Sequence, residues 1–253
     1  MTWLWSNLDY VGELMLVHLG LSLPAIVLSF VISIPLGWIA HRYAWSRGVL
    51  LSLAALLYAI PSLALFVALP ALTGFGVRSP VNLVIALTLY GVAVMVRTAA
   101  DAFDSVSRDV RQSATAVGYA AAGRFWGVEL PLAGPVLLSG LRVVIVSTVS
   151  LATVGAVIGV QSLGSLFTDG FQRGIQAEII TGIVATIVLA LLLDLAAVLL
   201  GRLLLPWARA PKVRRGRMSR AAGSGGPGGS AQHPGVSAET EAVIESAGRA
   251  GGA

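Results

Sequence analysis

Residues 112–135 have the sequence QSATAVGYAAAGRFWGVELPLAGP, the longest stretch within the apolar body of the chain that is not apolar enough to span a bilayer. Many of its positions are Ala or Gly, so a helix here would have a face of small side chains that another protein could approach closely. Pro131 disfavours a helical conformation in the residue before it and donates no backbone hydrogen bond. We therefore predict a short helix over Gln112–Trp126 that stops at Leu130-Pro131. Such a helix, in a charged loop that contains Arg124, is suited to docking a soluble partner.

The composition places the chain in the membrane. Hydrophobic residues make up 56% of it and charged residues 11%, whereas a soluble domain has roughly 25% charged residues. In an integral membrane protein, basic residues first determine topology. The net charge of +5 is therefore no indication of a nucleic-acid partner. The absence of cysteine excludes disulfides, thiolate metal sites and cysteine nucleophiles.

Five apolar runs predict membrane-spanning helices, for which about 20 residues suffice. The third run is shorter and spans the membrane if Ser79 and Pro80 lie at the interface. Pro61 lies near the middle of the second run, and proline is tolerated in membrane helices. A sixth span would require residues 161–178 to re-enter the membrane with part of the fourth run. The predicted runs are 19–40, 49–72, 81–96, 136–160 and 179–201.

The arginines predict the orientation of these spans. With the amino terminus outside, Arg42, Arg47, the arginines at 97–124 and those from Arg202 onward all fall in the cytoplasm. The opposite orientation would place nearly every basic residue outside, against the positive-inside rule. The sequence therefore predicts a cytoplasmic loop at 98–134 and a cytoplasmic carboxyl terminus.

Two terminal segments flank the predicted spans. Residues 1–18 carry Asp9 and Glu13 and no positive charge, so they are predicted to be an extracytoplasmic segment rather than a signal peptide. Residues 206–253 begin with a basic cluster and continue into a Gly-, Ser- and Pro-rich part, which predicts a basic and then disordered cytoplasmic tail. The basic cluster is interpreted as a stop-transfer feature. Binding to anionic lipid headgroups is the alternative.

The opening stretch resembles the cytoplasmic loop motif of bacterial binding-protein-dependent ABC importer permeases. That motif is Glu-Ala-Ala, three residues, Gly, nine residues and Ile-x-Leu-Pro. The triplet Gln112-Ser113-Ala114, then Gly118, and finally Leu130-Pro131 occupy the matching positions. Gln112 stands where the family has Glu, so a hydrogen bond to an ATPase is expected there rather than an ion pair. The alternative, an amphipathic helix lying on the membrane, would not need this spacing.

Three short segments are similar to the osmoprotectant branch of these permeases, which imports glycine betaine, choline, carnitine and related quaternary amines. They are residues 34–37 (IPLG), residues 60–64 (IPSLA) and Leu163-Gly164. The resemblance implies an all-α transmembrane domain of the type I ABC importer class at residues 19–205, with five or six spans and a cytoplasmic coupling helix in the 98–134 loop. An ABC permease for another small solute is the alternative.

The resemblance also implies the partners. They are ABC ATPase subunits, a second permease subunit that is identical or paralogous, an extracytoplasmic solute-binding protein and the lipids of the bacterial cell membrane. The sequence contains no Gly-x-x-x-x-Gly-Lys-[Ser/Thr] phosphate loop, so ATP and Mg²⁺ are expected on the ATPase and no cofactor on this chain. The expected docking residues are Gln112, Ser113, Ala114, Gly118, Leu130 and Pro131.

Two charged residues fall inside predicted spans. Arg142 lies in the fourth run and Asp194 in the fifth, each roughly 10–15 Å from the cytoplasmic end. Charges at such depth are usually paired or functional, so an intramembrane ion pair is predicted, with a structural role favoured over one in transport. A channel or secondary transporter that needs no ATPase would require a larger polar constellation at mid-membrane.

Overall fold

The computed structural model describes residues 2–208, and within that range all regular secondary structure is helical. The predicted tail therefore lies outside the described residues, apart from its first three positions. The α-helices are α1 (Thr2–Ser6), α2 (Leu8–Arg42), α3 (Ala44–Ala59), α4 (Ser62–Thr73), α5 (Pro80–Asp104), α6 (Arg108–Ala116), α7 (Ala121–Arg124), α8 (Leu130–Val154), α9 (Ser165–Arg173) and α10 (Gln176–Leu204). A π-helical segment, Phe125–Glu129, joins α7 to α8, and 3₁₀ turns follow α8 and α10.

Helices α2 and α5 form a parallel pair at the centre of the bundle. A methyl group added at Gly37 would lie 2.4 Å from the Cβ of Ala99, and one added at Gly91 would lie 2.7 Å from the Cβ of Ser29. Small residues at these crossings let the two backbones approach closely, as is common between membrane helices. Ser29 of α2 meets Gly91 of α5, and eight residues later Gly37 meets Ala99. The two helices therefore run in the same direction, and their carboxyl ends lie at the same end of the bundle.

The parallel pair requires the chain between α2 and α5 to cross the membrane. That connection is α3 and α4, which are bent by 104° at a break of two residues, Ile60 and Pro61. The end of α4 meets the start of α5, where Thr73 Oγ1 donates to Asn82 Oδ1 at 2.6 Å. The two short helices are thus one broken crossing, which brings the total to five. The second predicted run spans the membrane, but as a sharply bent pair and not as a single helix.

Helices α8 and α10 complete the bundle in antiparallel fashion. A methyl group at Gly140 in α8 would meet Thr98 of α5, and one at Gly155 would meet Leu83, so α8 runs opposite to α5. Gly201 near the end of α10 faces Leu138 near the start of α8. The ends of α2, α5 and α10 and the start of α8 therefore gather at one end of the bundle.

Several helices extend beyond the predicted spans. Helix α2 has 35 residues, about 52 Å at 1.5 Å per residue, so residues 8–18 belong to the first crossing helix. Helix α5 continues through Arg97 to Asp104. Helix α9 has only nine residues, too few to cross a bilayer. No sixth crossing is present in the described range.

A buried histidine ties three parts of the bundle together at the end away from α6. His18 is fully buried in α2, and its Nε2 donates to the carbonyl of Val149 at 3.1 Å. Its Nδ1 accepts from the amide of Leu163 at 3.3 Å. Both ring nitrogens are therefore satisfied by a neutral imidazole, as a buried polar group requires.

Candidate coupling interface

The stretch at 112–131 forms two short helices joined by a glycine turn. Helix α6 begins after Ser107, whose Oγ accepts from the amide of Val110 at 3.4 Å, and it ends at Ala116. Gly118 has a φ of +100°, a conformation that residues with a Cβ rarely adopt. The prediction of one helix over Gln112–Trp126 is therefore wrong, because the chain reverses at Gly118 and the helix starts again at Ala121.

Pro131 does not stop the helix either. The π-helical segment Phe125–Glu129 leads directly into α8, where Pro131 occupies the first turn. The amide of Leu130 bonds to the carbonyl of Phe125, five residues back. A proline is tolerated in the first turn of a helix, where its missing amide proton is least needed. The predicted stop at Leu130-Pro131 is therefore wrong: the helix continues there, and its hydrogen bonds change from the π-helical to the α-helical pattern.

A buried carboxylate holds this loop to the bundle. Glu129 is 3% exposed, and it accepts hydrogen bonds from Trp38 Nε1 at 3.0 Å and Arg124 Nε at 2.8 Å. Arg124 Nη1 also donates to Thr115 Oγ1 at 2.9 Å. A buried charge is stable when it is paired and hydrogen-bonded. Glu129, at the end of the π-helical segment that leads into α8, therefore links this segment to α2, α6 and α7 through one connected group of side chains, which we call the Glu129 network.

A second polar group connects the ends of α2, α3, α5 and α6. Asp104 Oδ1 lies 2.5 Å from His41 Nδ1, and Asp104 Oδ2 accepts from Arg47 Nη1 at 2.5 Å. Arg47 Nη2 also donates to Asp101 Oδ1 at 3.2 Å. On the other side of the imidazole, Arg111 Nη1 donates to His41 Nε2. We call this group the Asp104 network. Together the two networks join the loop to four of the five crossings.

Four arginines surround an open depression beside these networks. The depression has a volume of about 500 Å³, and Gln112 is exposed at its wall. The concentration of guanidinium groups makes it strongly positive. Its lining consists of Arg42, Arg108, Arg111, Gln112, Thr115, Ala116 and Arg124.

The predicted docking residues occupy three places in this arrangement. Gln112 and Ser113 are exposed on α6, whereas Ala114 is buried against the bundle. Gly118 is exposed at the turn that follows. Leu130 and Pro131 lie in the first turn of α8, where Trp207 Nε1 donates to the Pro131 carbonyl at 3.2 Å.

A family comparison matches residues 29–210 to the family described as "Binding-protein-dependent transport system inner membrane component". The chain belongs to this family. The match covers both networks and all five crossings, apart from the first part of α2. The sequence-based assignment to the ABC importer permeases is confirmed.

Curated relatives of this inner membrane component are bacterial permeases. It is 33% identical over 192 residues to the osmoprotectant import permease protein OsmW of Salmonella typhimurium, covering 75% of this chain and 89% of that protein. It is 29% identical over 189 residues to the choline transport system permease protein OpuBB of Bacillus subtilis, covering 75% and 86%. Both matches extend over most of the relative's length.

A solved structure has the same fold. The inward-facing MetNI methionine ABC transporter matches with a TM-score of 0.66 and 18% identity, over 77% of this chain and 95% of that one. At this identity the likeness concerns the fold alone. The inner membrane component is thus an all-α type I ABC importer transmembrane domain, as the sequence predicts, and a multi-pass protein of the inner membrane.

The charged pair predicted within the membrane lies away from the coupling interface. Arg142 Nε and Nη2 of this inner membrane component donate to Asp194 Oδ1 and Oδ2 at 2.6 and 2.8 Å. The Arg142 side chain is 48% exposed on the outer face of α8 and α10. Within residues 2–208, no group of three His, Asp or Glu side chains is arranged to hold a metal ion.

The sequence does not predict the contacts that form the two networks. Glu129 falls at the variable position x of the Ile-x-Leu-Pro motif, for which the motif implies no role, although a carboxylate at a membrane boundary needs a partner. Its partner Trp38 is 91 residues away, and no local pattern connects the two. His41 and Asp104 are likewise brought together only by the parallel packing of α2 on α5.

Proposed function

We propose that this inner membrane component is the permease subunit of an ATP-driven importer for a small quaternary amine, such as glycine betaine, choline or carnitine. The observation that carries the proposal is the similarity to OsmW and OpuBB, which are named for osmoprotectants and choline and match over most of their length. The segments at 34–37 and 60–64 lie within the matched family region. An ABC permease for another small solute is the alternative.

An ABC ATPase docks on the surface formed by α6, the Gly118 turn and α7. Gln112 and Ser113 are exposed there, and a depression lined by four arginines lies beside them. Acidic groups on the ATPase would complement this positive surface. ATP and Mg²⁺ bind to the ATPase subunit, which supplies the groups that hydrolyse ATP.

The two networks carry movement from the docking surface into the membrane. Arg124 and Thr115 connect α7 and α6 to the buried Glu129, and Arg111 connects α6 to His41. Because each network ends on long helices, a displacement of α6 and α7 shifts α2, α5 and α8 together. Closure of the ATPases would thereby switch the permease between inward- and outward-facing states.

The coupling interface faces the cytoplasm in this proposal, and the amino terminus faces outward. Arg42, Arg47 and Arg124 lie at the coupling end, whereas Arg78 and Arg173 lie at the other. The positive-inside rule favours this orientation. The carboxyl end of α10 is then cytoplasmic.

A complete importer needs further subunits. Five crossings form half of a path, so a second permease, identical or paralogous, closes the other side. An extracytoplasmic binding protein delivers the solute at the end where α9 lies, and membrane lipids surround the assembly. Arg142 and Asp194 hold α8 to α10 as a structural ion pair.

The test is purification of the tagged chain from its native membrane, with identification of co-purifying subunits and uptake assays in proteoliposomes. We expect an ABC ATPase to co-purify, and radiolabelled choline or glycine betaine to accumulate only with ATP and the binding protein. Accumulation without ATP would overturn the proposal in favour of a secondary transporter or channel. ATP-dependent uptake of an unrelated solute alone would refute the substrate class.

A further inference from the structure

The break between α3 and α4 lies at mid-depth in the membrane. Tyr90 is about 15 Å along α5 from its first residue, and its hydroxyl donates to the carbonyl of Ile60. Tyr90 is only 4% exposed, so this hydrogen bond fixes the break against the central helix. The chain thus bends by 104° inside the hydrocarbon region.

The break leaves backbone carbonyls without donors. The last carbonyls of an α-helix have no intrahelical partner, and Pro61 has no amide proton. Within the described part of the chain, the amide of Ile60 reaches the Leu57 carbonyl at 3.3 Å, but no donor reaches the carbonyls of Tyr58 and Ala59. Non-helical backbone at this depth is stable only inside protein or along a water-filled cavity. Lipid is therefore a poor neighbour for this segment.

An open aromatic side chain stands beside these carbonyls. The rings of Tyr58 and Tyr90 are 6.2 Å apart and inclined by 80°, and Tyr58 is 55% exposed. A quaternary ammonium group has no N–H to donate, and aromatic faces attract it through cation–π interaction. The carbonyl oxygens add negative partial charge. Neither attraction is strong alone, as suits a site that a solute must leave as readily as it enters.

We infer that the break at Ile60–Ser62, together with Tyr58 and Tyr90, is a transient site for the quaternary ammonium head of the solute on its path through the permease. This inference rests on the proposed function. It places the broken crossing, α3 and α4, along the translocation path. Helix α5 packs against the break on the side away from that path and holds it through the hydrogen bond from Tyr90 to Ile60.

Cysteine accessibility tests whether water and cations reach the break. The chain has no native cysteine, so Ser62→Cys in the complete importer is the permease's single thiol. We expect it to react with trimethylammonium-ethyl methanethiosulfonate, itself a quaternary ammonium compound, and choline to slow the reaction at least threefold. The control is Leu191→Cys, which is 62% exposed on the apolar surface of α10 and is expected to stay unreactive.

Substitution of Tyr58 tests the cation–π contact. Tyr58→Leu is expected to lower choline uptake roughly tenfold, whereas Tyr58→Phe, which keeps the aromatic face, should remain near wild type. Tyr43→Leu is the matched control, because Tyr43 is 58% exposed but lies between α2 and α3 at the membrane end.

The outcomes separate this inference from the proposed function. If the wild-type importer takes up no quaternary amine, the proposed function fails. If it takes up choline while Ser62→Cys stays as unreactive as the α10 control, or Tyr58→Leu matches Tyr58→Phe, the inference alone is wrong. The break would then be covered by the second permease.

Discussion

The helices of this permease are held together differently at mid-membrane and at the coupling end. At mid-membrane α2 and α5 meet through Ser29 and Gly91, without any charge. At the coupling end the same helices are joined by Glu129, Asp104 and their partners. The small-residue contacts set how far apart the backbones lie, while the charged contacts connect the helices to a loop. Damage to the first should therefore lower the stability of the bundle, and damage to the second should in addition uncouple transport from ATP hydrolysis.

The largest effect is expected from Glu129→Ala at the coupling end. It leaves Arg124 and Trp38 without their acceptor, and removing one partner of a buried ion pair costs about 3 kcal/mol or more. We expect a lower Tm in detergent and ATP hydrolysis that no longer drives uptake. Asp109→Ala, which removes an exposed carboxylate of α6, is the control. Equal behaviour of the two variants would contradict the role of the Glu129 network.

A comparable test at mid-membrane is Gly91→Ala. The added methyl would lie 2.7 Å from the Cβ of Ser29, and overpacking costs typically about 1–3 kcal/mol. Gly48→Ala is the control, since a methyl there has no neighbour within 4 Å and alanine favours the helix. We expect Gly91→Ala to lower the Tm and Gly48→Ala to keep or raise it. The contrast between the coupling end and mid-membrane would weaken if Gly91→Ala remained fully stable but lost coupling.

Gly118→Ala sharpens the comparison within the loop. A methyl there meets no atom within 4 Å, but the φ of +100° is unfavourable for alanine by about 1 kcal/mol. The turn between α6 and α7 should shift and the ATPase should co-purify less well, while the Tm of the bundle stays near wild type. Gly123→Ala is the matched control, because that glycine is helical and its methyl would make ordinary contact with Tyr119 at 3.7 Å. Unchanged ATPase binding by Gly118→Ala would count against this surface.

The smallest net effect is expected for the pair on the outer face. Asp194→Asn alone leaves the Arg142 guanidinium without its bidentate partner, so the variant should be less stable than wild type. The double variant Arg142→Leu/Asp194→Leu removes both charges and should return close to the wild-type Tm and uptake rate. Loss of uptake by a stable double variant would assign the pair to transport instead.

The sequence predicts the all-α fold, the family and the apolar spans, because length and hydropathy limit what a membrane helix can be. It does not predict the bend at Pro61. Proline occurs in both straight and broken membrane helices, and Pro24 and Pro35 remain inside the continuous α2. At the broken crossing Tyr90 donates to the carbonyl of Ile60, a contact between residues 30 positions apart that no local pattern encodes.

The position of the connection between α5 and α8 is predictable and its shape is not. The spacing from Gly118 to Pro131 predicts a loop between spans, but the small residues between them favour a helix as much as a turn. The left-handed conformation of Gly118 follows from its place after α6. The partners of Glu129 depend on tertiary contacts between residues far apart in sequence, which no local pattern encodes.

The parallel pairing of α2 and α5 also affects the order in which contacts form while the protein is being synthesised. Ser29 in α2 faces Gly91 in α5, a residue made some 60 positions later, which takes roughly 3–12 s of synthesis. During that delay α2 lies in the membrane without α5, its main partner. The Ser29 hydroxyl is nevertheless satisfied, because it donates to the carbonyl of Ala25 in its own helix at 2.6 Å. His18 has no such local bond, and both its partners emerge only with Val149 and Leu163. The two hydrogen bonds of the His18 imidazole, at the end of the bundle away from α6, are therefore among the last contacts to form.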